Sequence, residues 1–250
     1  MKSVAIVLAG GSGSRMKSRQ KKQYLLLGDY PVLWYSLRVF QNCPRIDEIV
    51  LVCGEGEEER CHREFAEGYG FSKIGKIVHG GRERYHSVYA GLKAAGSCDW
   101  VLIHDGARPF VDQGMLDRIF EGLAECPACV VGMPVKDTIK MRDSEGYVEQ
   151  TLPREKLWMI QTPQSFSYPL IWRAYGELMR REQALSEVEE DTIRITDDAM
   201  VVETILHVPV KLIEGSYENM KITTPEDLIL AENLAKRCGL KKLKKIEKNG

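Results

Sequence analysis

The sequence predicts an α/β protein: a mostly parallel sheet with helices covering both faces and a β-hairpin arm projecting from it. Three observations carry this. Apolar runs of strand length alternate with amphipathic stretches through the first half of the chain, and glycine clusters follow several of the runs. Past Pro134 the rhythm breaks into two short alternating segments around a polar turn, which reads as a hairpin.

Residues 4–8, 46–52, 77–79, 100–104 and 129–135 are apolar and strand-like. Between them, 32–40, 57–69, 84–95 and 115–125 place apolar residues three and four apart with charge elsewhere, the mark of a helix with one buried face. Strand and helix in regular alternation imply parallel strands joined by right-handed crossovers, with ligands gathered at the strand carboxyl ends. The arm spans 136–154, with strands at 138–141 and 147–152 about the turn Asp143-Ser144-Glu145-Gly146. A lone hairpin is marginal in water, so the arm needs a partner surface such as a second subunit. Helical signals resume over 168–178, and the charged stretch 182–191 reads as a solvated face or loop. Asp197 or Asp198 is placed to cap a helix running to Ile205, and 208–213 is a further strand. Thr224, Pro225 and Asp227 form a strong helix start: cap, first-turn proline and a carboxylate three residues after the cap.

Length and charge narrow the function. The 250 residues suffice for one large domain over 1–235, followed by a basic tail at 236–250. Lys plus Arg total 35 against 36 Asp plus Glu, so the whole chain is not marked as a nucleic-acid or membrane binder. The tail holds lysines without interleaved aromatic residues and reads as solvated. Apolar runs fall well short of the roughly 18 residues that span a bilayer. Seven cysteines, an odd count without framework spacing, fit reduced thiols and a cytoplasmic protein. Cys126 and Cys129 have redox or half-zinc spacing, but the second half is missing and a helix-to-strand turn accounts for them.

The chemistry starts at LAGGSGSRM, residues 8–16, leaving the first strand. Neither a dinucleotide fingerprint nor a Walker loop fits the spacing. Gly10, Gly11 and Gly13 nevertheless let backbone N–H groups approach an anion, and Arg15, Lys21 and Lys22 add cations suited to a polyphosphate. GGRERYHSVYAGL repeats the device at 80–92, with Arg84 and Ser87 in reach of a nucleotide. In HDGARPF, Asp105 sits at a strand end beside Gly106, a hard oxygen ligand suited to Mg²⁺, or alternatively a helix cap or a partner of Arg108. His104 reads as a buried, hydrogen-bonded structural residue.

As a set, LAGGSGSRM with KKQY, GGRERYHSVYAGL, HDGARPF, PVKDTIK, LWMIQTPQSF, ITDDA and NMKITTPEDL resemble, in order, the 2-C-methyl-D-erythritol 4-phosphate cytidylyltransferases. The resemblance implies a single-domain, Rossmann-like nucleotidyltransferase fold. It also implies transfer of CMP from CTP to methylerythritol phosphate with Mg²⁺ or another divalent cation, release of pyrophosphate, and a homodimer joined by the arm. Ala9, Gly10, Gly11, Ser12 and Gly13 would hold the nucleotide, with Arg15 and Lys22 clamping phosphates. Gly81, Arg84, Ser87 and Gly106 match positions around base and ribose, and Asp105 with Glu218 would flank the metal. Arg108, Thr138, Thr162 and Lys221 match sugar-phosphate contacts, and Thr196 is a further candidate. Arg154 would reach across from the partner subunit. Arg15, Lys22, Arg154 and Lys221 are the implied catalytic set. Leu8-Ala9-Gly10-Gly11 is also similar to pentitol-phosphate cytidylyltransferases, which makes ribitol phosphate the alternative acceptor, while the carboxylate of Glu218 leans toward methylerythritol phosphate.

Overall fold

The computed structural model describes residues 1–11, 13, 16, 20–185 and 195–237. Its backbone groups into two compact units, 1–113 with 218–250 and 114–217.

In the first unit β1 (Ser3–Leu8) leads through the glycine-rich turn and a single 3-10 turn, Lys22–Tyr24, to the small pair β2 (Leu26–Leu27) and β3 (Tyr30–Pro31). Then follow α1 (Val32–Asn42), β4 (Glu48–Cys53), α2 (Glu58–Cys61), β5 (Ile74–His79), α3 (Arg84–Ala95) and β6 (Trp100–Asp105). The strands stand in the order β6-β1-β4-β5, all parallel as the alternation predicts. β1 and β4 are almost entirely buried, so apolar runs without alternation are what their two covered faces require. β5 is half-exposed at the edge, and its Ile74-Gly75-Lys76 start breaks the apolar run, which is why the sequence marks only 77–79.

The helix expected over 57–69 is α-helical only through Cys61 and continues as a π-helix, His62–Gly68. Its final amide bonds, Tyr69 N–H to the Glu64 carbonyl at 3.0 Å, span five residues instead of four. α3 lies on β1 and β4 with Gly91 at the contact, where a Cβ would come within 2.5 Å of Ile6.

The second unit begins with α4 (Gln113–Glu125) and contains β7 (Ala128–Pro134), the arm strands β8 (Lys140–Arg142) and β9 (Val148–Thr151), and β10 (Trp158–Ser167). α5 (Tyr168–Leu185), α6 (Asp198–Leu206) and β11 (Lys211–Glu214) complete it. β7 pairs antiparallel with β10 and parallel with β11. β10 is not among the strands read from the sequence, because Pro163 sits in its middle and a proline normally argues against a paired strand. The structure accommodates it where the register with β7 shifts between Ile160 and Gln164.

α5 runs past the expected 178, carried by Glu177, which takes Arg180 and Arg181 at 2.8 Å one turn on. Asp197 is the cap of α6, accepting the Met200 N–H at 2.9 Å. Replacing it with Ala should cost about 1 kcal/mol, read as a lower denaturant midpoint with unchanged slope. Buried Gln164 steadies the same helix start, accepting the amides of Asp198 and Ala199 at 2.8 and 3.0 Å.

α7 (Pro225–Arg237) returns to the first unit. Its start is reciprocal, as the sequence predicts: Asp227 donates its N–H to the Thr224 hydroxyl at 3.4 Å and accepts the Thr223 and Thr224 amides. Among the described residues no helix is long and apolar enough to cross a membrane.

Candidate active site

The first unit carries a cleft of about 350 Å³, the size of a small-ligand site. It forms where the sheet ends. Leu8 and Asp105 are register partners, so the glycine-rich turn after β1 and the carboxylate closing β6 emerge side by side. The Gly106 amide bonds the Leu8 carbonyl at 2.9 Å and the Ala9 amide bonds Val52 at 2.6 Å, which pins the start of the turn between β6 and β4. Gly10 is needed for space: a Cβ there would stand 2.9 Å from the Cys53 carbonyl oxygen. Gly13 is needed for conformation, with φ of 66°, and its open face lies against Lys22.

Of the residues singled out in the sequence, Ala9, Gly10, Gly11, Lys22, Gly81, Arg84 and Ser87 line this cleft. Asp105 and Lys221 complete it. Lys221 is delivered there by the bond from the Ile222 amide to the Ala107 carbonyl, 2.9 Å. Gly13 and Gly106 do not line it, but each adjoins a residue that does, Lys22 and Leu8 respectively. Gln23, Arg82, Glu83 and Ala107 also line the cleft and were not singled out, although Gln23 stands in the quoted KKQY. Ser12, Arg15 and the chain from 238 onward lie outside the described residues.

Asp105 organises the charge. Its side chain is 11% exposed, Oδ1 lies 3.3 Å from Arg84 Nε, and Oδ2 lies 2.7 Å from Lys221 Nζ. Burial alone would push its carboxyl up, but Arg84, then Lys221 and Arg108, outweigh burial and hold it well below the usual carboxylate range. Besides the anticipated attraction to Arg108, Asp105 pairs with Arg84 and Lys221. Arg108 bonds the Asn219 carbonyl through Nη1 at 2.7 Å, and its Nε is buried without an acceptor. His104 is fully buried, its Nε2 at 3.1 Å from the Arg108 carbonyl and its ring on Phe40, which is the structural role expected of it.

The remaining candidates are elsewhere. Glu218 is in the first unit, but its Oε1 stands 3.5 Å from Arg237 and it does not line the cleft. Thr138, Arg154, Thr162 and Thr196 belong to the second unit. Thr162 is buried in β10, Thr138 and Thr196 are exposed, and Arg154 closes the base of the arm by donating to the Lys136 carbonyl at 2.8 Å. The Cys126 thiol bonds the Gly122 carbonyl and the Cys129 thiol bonds that of Ile119, so both serve the α4-to-β7 turn.

A cleft at the carboxyl ends of parallel strands, walled by glycine backbone and by cations around a strand-end carboxylate, is that of an α/β enzyme acting on a polyphosphate. The family model described as 2-C-methyl-D-erythritol 4-phosphate cytidylyltransferase matches residues 3–237. A protein of that name from Lachnoclostridium phytofermentans is 44% identical over 231 residues, covering 92% of this chain and 95% of its own. Another from Clostridium beijerinckii is 46% identical over 232 residues, covering 93% and 97%. The crystal structure of 4-diphosphocytidyl-2C-methyl-D-erythritol synthase from Anaerococcus prevotii superposes with a TM-score of 0.77 at 32% identity, covering 94% of this chain and 99% of that one. This chain belongs to the 2-C-methyl-D-erythritol 4-phosphate cytidylyltransferase family and is a nucleotidyltransferase.

Proposed function

We propose that this chain transfers the cytidylyl group of CTP to 2-C-methyl-D-erythritol 4-phosphate in the non-mevalonate route to isoprenoids. A phosphate oxygen of the acceptor bonds to the α-phosphorus of CTP, the bond between the α-phosphorus and the bridging oxygen breaks, and pyrophosphate leaves. The acceptor's second phosphate pKa is about 6, so near pH 7 the nucleophile is already ionised and no general base is required. The obstacle is repulsion between anions. The observation that carries the reading is that three cations, Lys22, Arg84 and Lys221, line one cleft together with the glycine-rich turn. Fixed charges of this kind lower the barrier by positioning and neutralising the phosphates.

Lys22 clamps the triphosphate with Arg15, while Gly81, Arg84 and Ser87 face the nucleoside. Lys221 and Arg108 take the acceptor phosphate. Lys221 lines the cleft and Arg108 does not, so the Arg108 part of the assignment rests on the resemblance.

A divalent cation fits this donor set. Mg²⁺ takes one or two protein carboxylates and completes its shell with phosphate and water, and Asp105 is ionised at the cleft wall. Both Asp105 oxygens are engaged by Arg84 and Lys221, so a bound cation would share that carboxylate with them, and Glu218, which lies off the cleft beside Arg237, would be the second residue to hold it. When bound, it neutralises charge on the phosphates.

The enzyme is a cytoplasmic homodimer. The arm supports a partner surface, since Tyr147 and Val148 are 70% and 62% exposed, and Arg154 at its base contributes to the partner's site. All six described cysteines are free thiols, in keeping with a reducing compartment. The test is pyrophosphate release from CTP and Mg²⁺ with each acceptor in turn. Methylerythritol phosphate should exceed ribitol phosphate by at least about 10²-fold in kcat/KM, and the reverse order overturns the assignment.

A further inference from the structure

Gln23 is 2% exposed yet polar, and its amide nitrogen is used entirely inside the glycine-rich turn. Nε2 donates to the Ala9 carbonyl and, at 3.3 Å, to the Gly11 carbonyl. A glutamine amide has two hydrogens, so one side chain meets two carbonyls of the loop. In a planar trans peptide the N–H lies opposite the C=O. Drawing the Ala9 carbonyl to Gln23 therefore turns the N–H of Gly10, in the same peptide unit, the other way. The two bonds also take two partial negative charges off a surface that an anion must approach.

The support behind Gln23 is firm. Glu57 Oε2 takes Lys21 Nζ at 2.9 Å, the Gly54 amide at 3.0 Å and the Tyr24 hydroxyl at 3.2 Å, which fixes the turn Lys22–Tyr24 on the end of β4. The loop's other edge is fixed by β4 itself, through the Ala9 amide and the close seat of Gly10 on Cys53. Gln23 thus joins two anchored segments, one presenting the loop and one presenting Lys22, and a site geometry is only as good as its supporting shell.

The geometry points to Gln23 as a positioning residue: it sets the peptide orientation of the Ala9–Gly11 loop for a nucleoside triphosphate and keeps Lys22 in register with it. This rests on the triphosphate seating against that loop, as proposed above.

Two variants test it. Gln23→Met keeps the bulk and removes both donors. It should lower kcat/KM for CTP by about 10- to 100-fold, leave KM for the acceptor within about twofold, and shrink the rise in melting temperature that CTP causes. Gln23→Glu keeps the shape but, ionised, has no donor, so at pH 7 its kcat/KM for CTP should fall by at least about 10-fold with KM for the acceptor again within about twofold. Either variant turning over CTP within about twofold of wild type overturns the assignment. If Gln23→Met does not fold, Gln23→Glu decides. A wild type that neither turns over CTP nor gains stability from it instead removes the reading of the site.

Discussion

Replacing Lys22 with Ala is expected to lower kcat by about 10²–10³ while raising KM for CTP by less than about tenfold. The asymmetry follows from where the charge is needed. In the ground state the glycine backbone, Arg15 and a divalent cation would share the triphosphate with Lys22, so one ammonium is expected to add little to binding. As the acceptor phosphate closes on the α-phosphorus, charge accumulates on the transferring group, and a cation preorganised on the loop side is worth most at that point. Gly13 packs on Lys22, with its Cβ position 3.5 Å from Lys22 Cγ, so the ammonium's stem starts from a fixed place beside the loop. Lys22→Arg should recover only part of the loss, since a planar fork is not a point charge. Steady-state pyrophosphate release with both substrates varied separates the two constants. A Lys22→Ala enzyme within a few-fold of wild type takes the clamp role from Lys22.

The elements that the sequence makes legible are those whose environment is uniform along their length. β1 and β4 are buried on both faces and read as unbroken apolar runs, and α7 carries its whole start signal in Thr224, Pro225 and Asp227. β10 hides because its pairing is interrupted where Pro163 sits, and the π-helical half of 57–69 hides because its apolar spacing is that of any helix. The cleft was legible through residues that follow strands directly, since a parallel sheet delivers all such turns to one edge. Gln23 was not, because its contribution is a pair of bonds to carbonyls 12 and 14 residues away, and no periodicity reports on that. Nor does spacing reveal that Asp105 is shared by Arg84 and Lys221, 21 and 116 residues distant in sequence.

Asp105→Asn is expected to destabilise the ligand-free protein by about 1–3 kcal/mol at pH 7 and to lower kcat/KM by at least about 10². The amide removes the counter-charge of Arg84 and Lys221 and, in either orientation, turns an NH₂ donor toward one of two donors. The full penalty of breaking a buried pair is not reached, because those side chains are 29% and 34% exposed and water screens them. The pH dependence has a fixed sign. Because the folded-state pKa of Asp105 is depressed, its stabilisation is present above the unfolded carboxylate value of about 3.9 and is lost as pH falls below it. The gap between wild type and Asp105→Asn, measured by urea titration without metal, should therefore be larger at pH 7 than at pH 3. A variant as stable as wild type at pH 7 means that the carboxylate is not what holds Arg84 and Lys221 in the cleft, and the electrostatic basis of the site then has to be sought in the backbone alone.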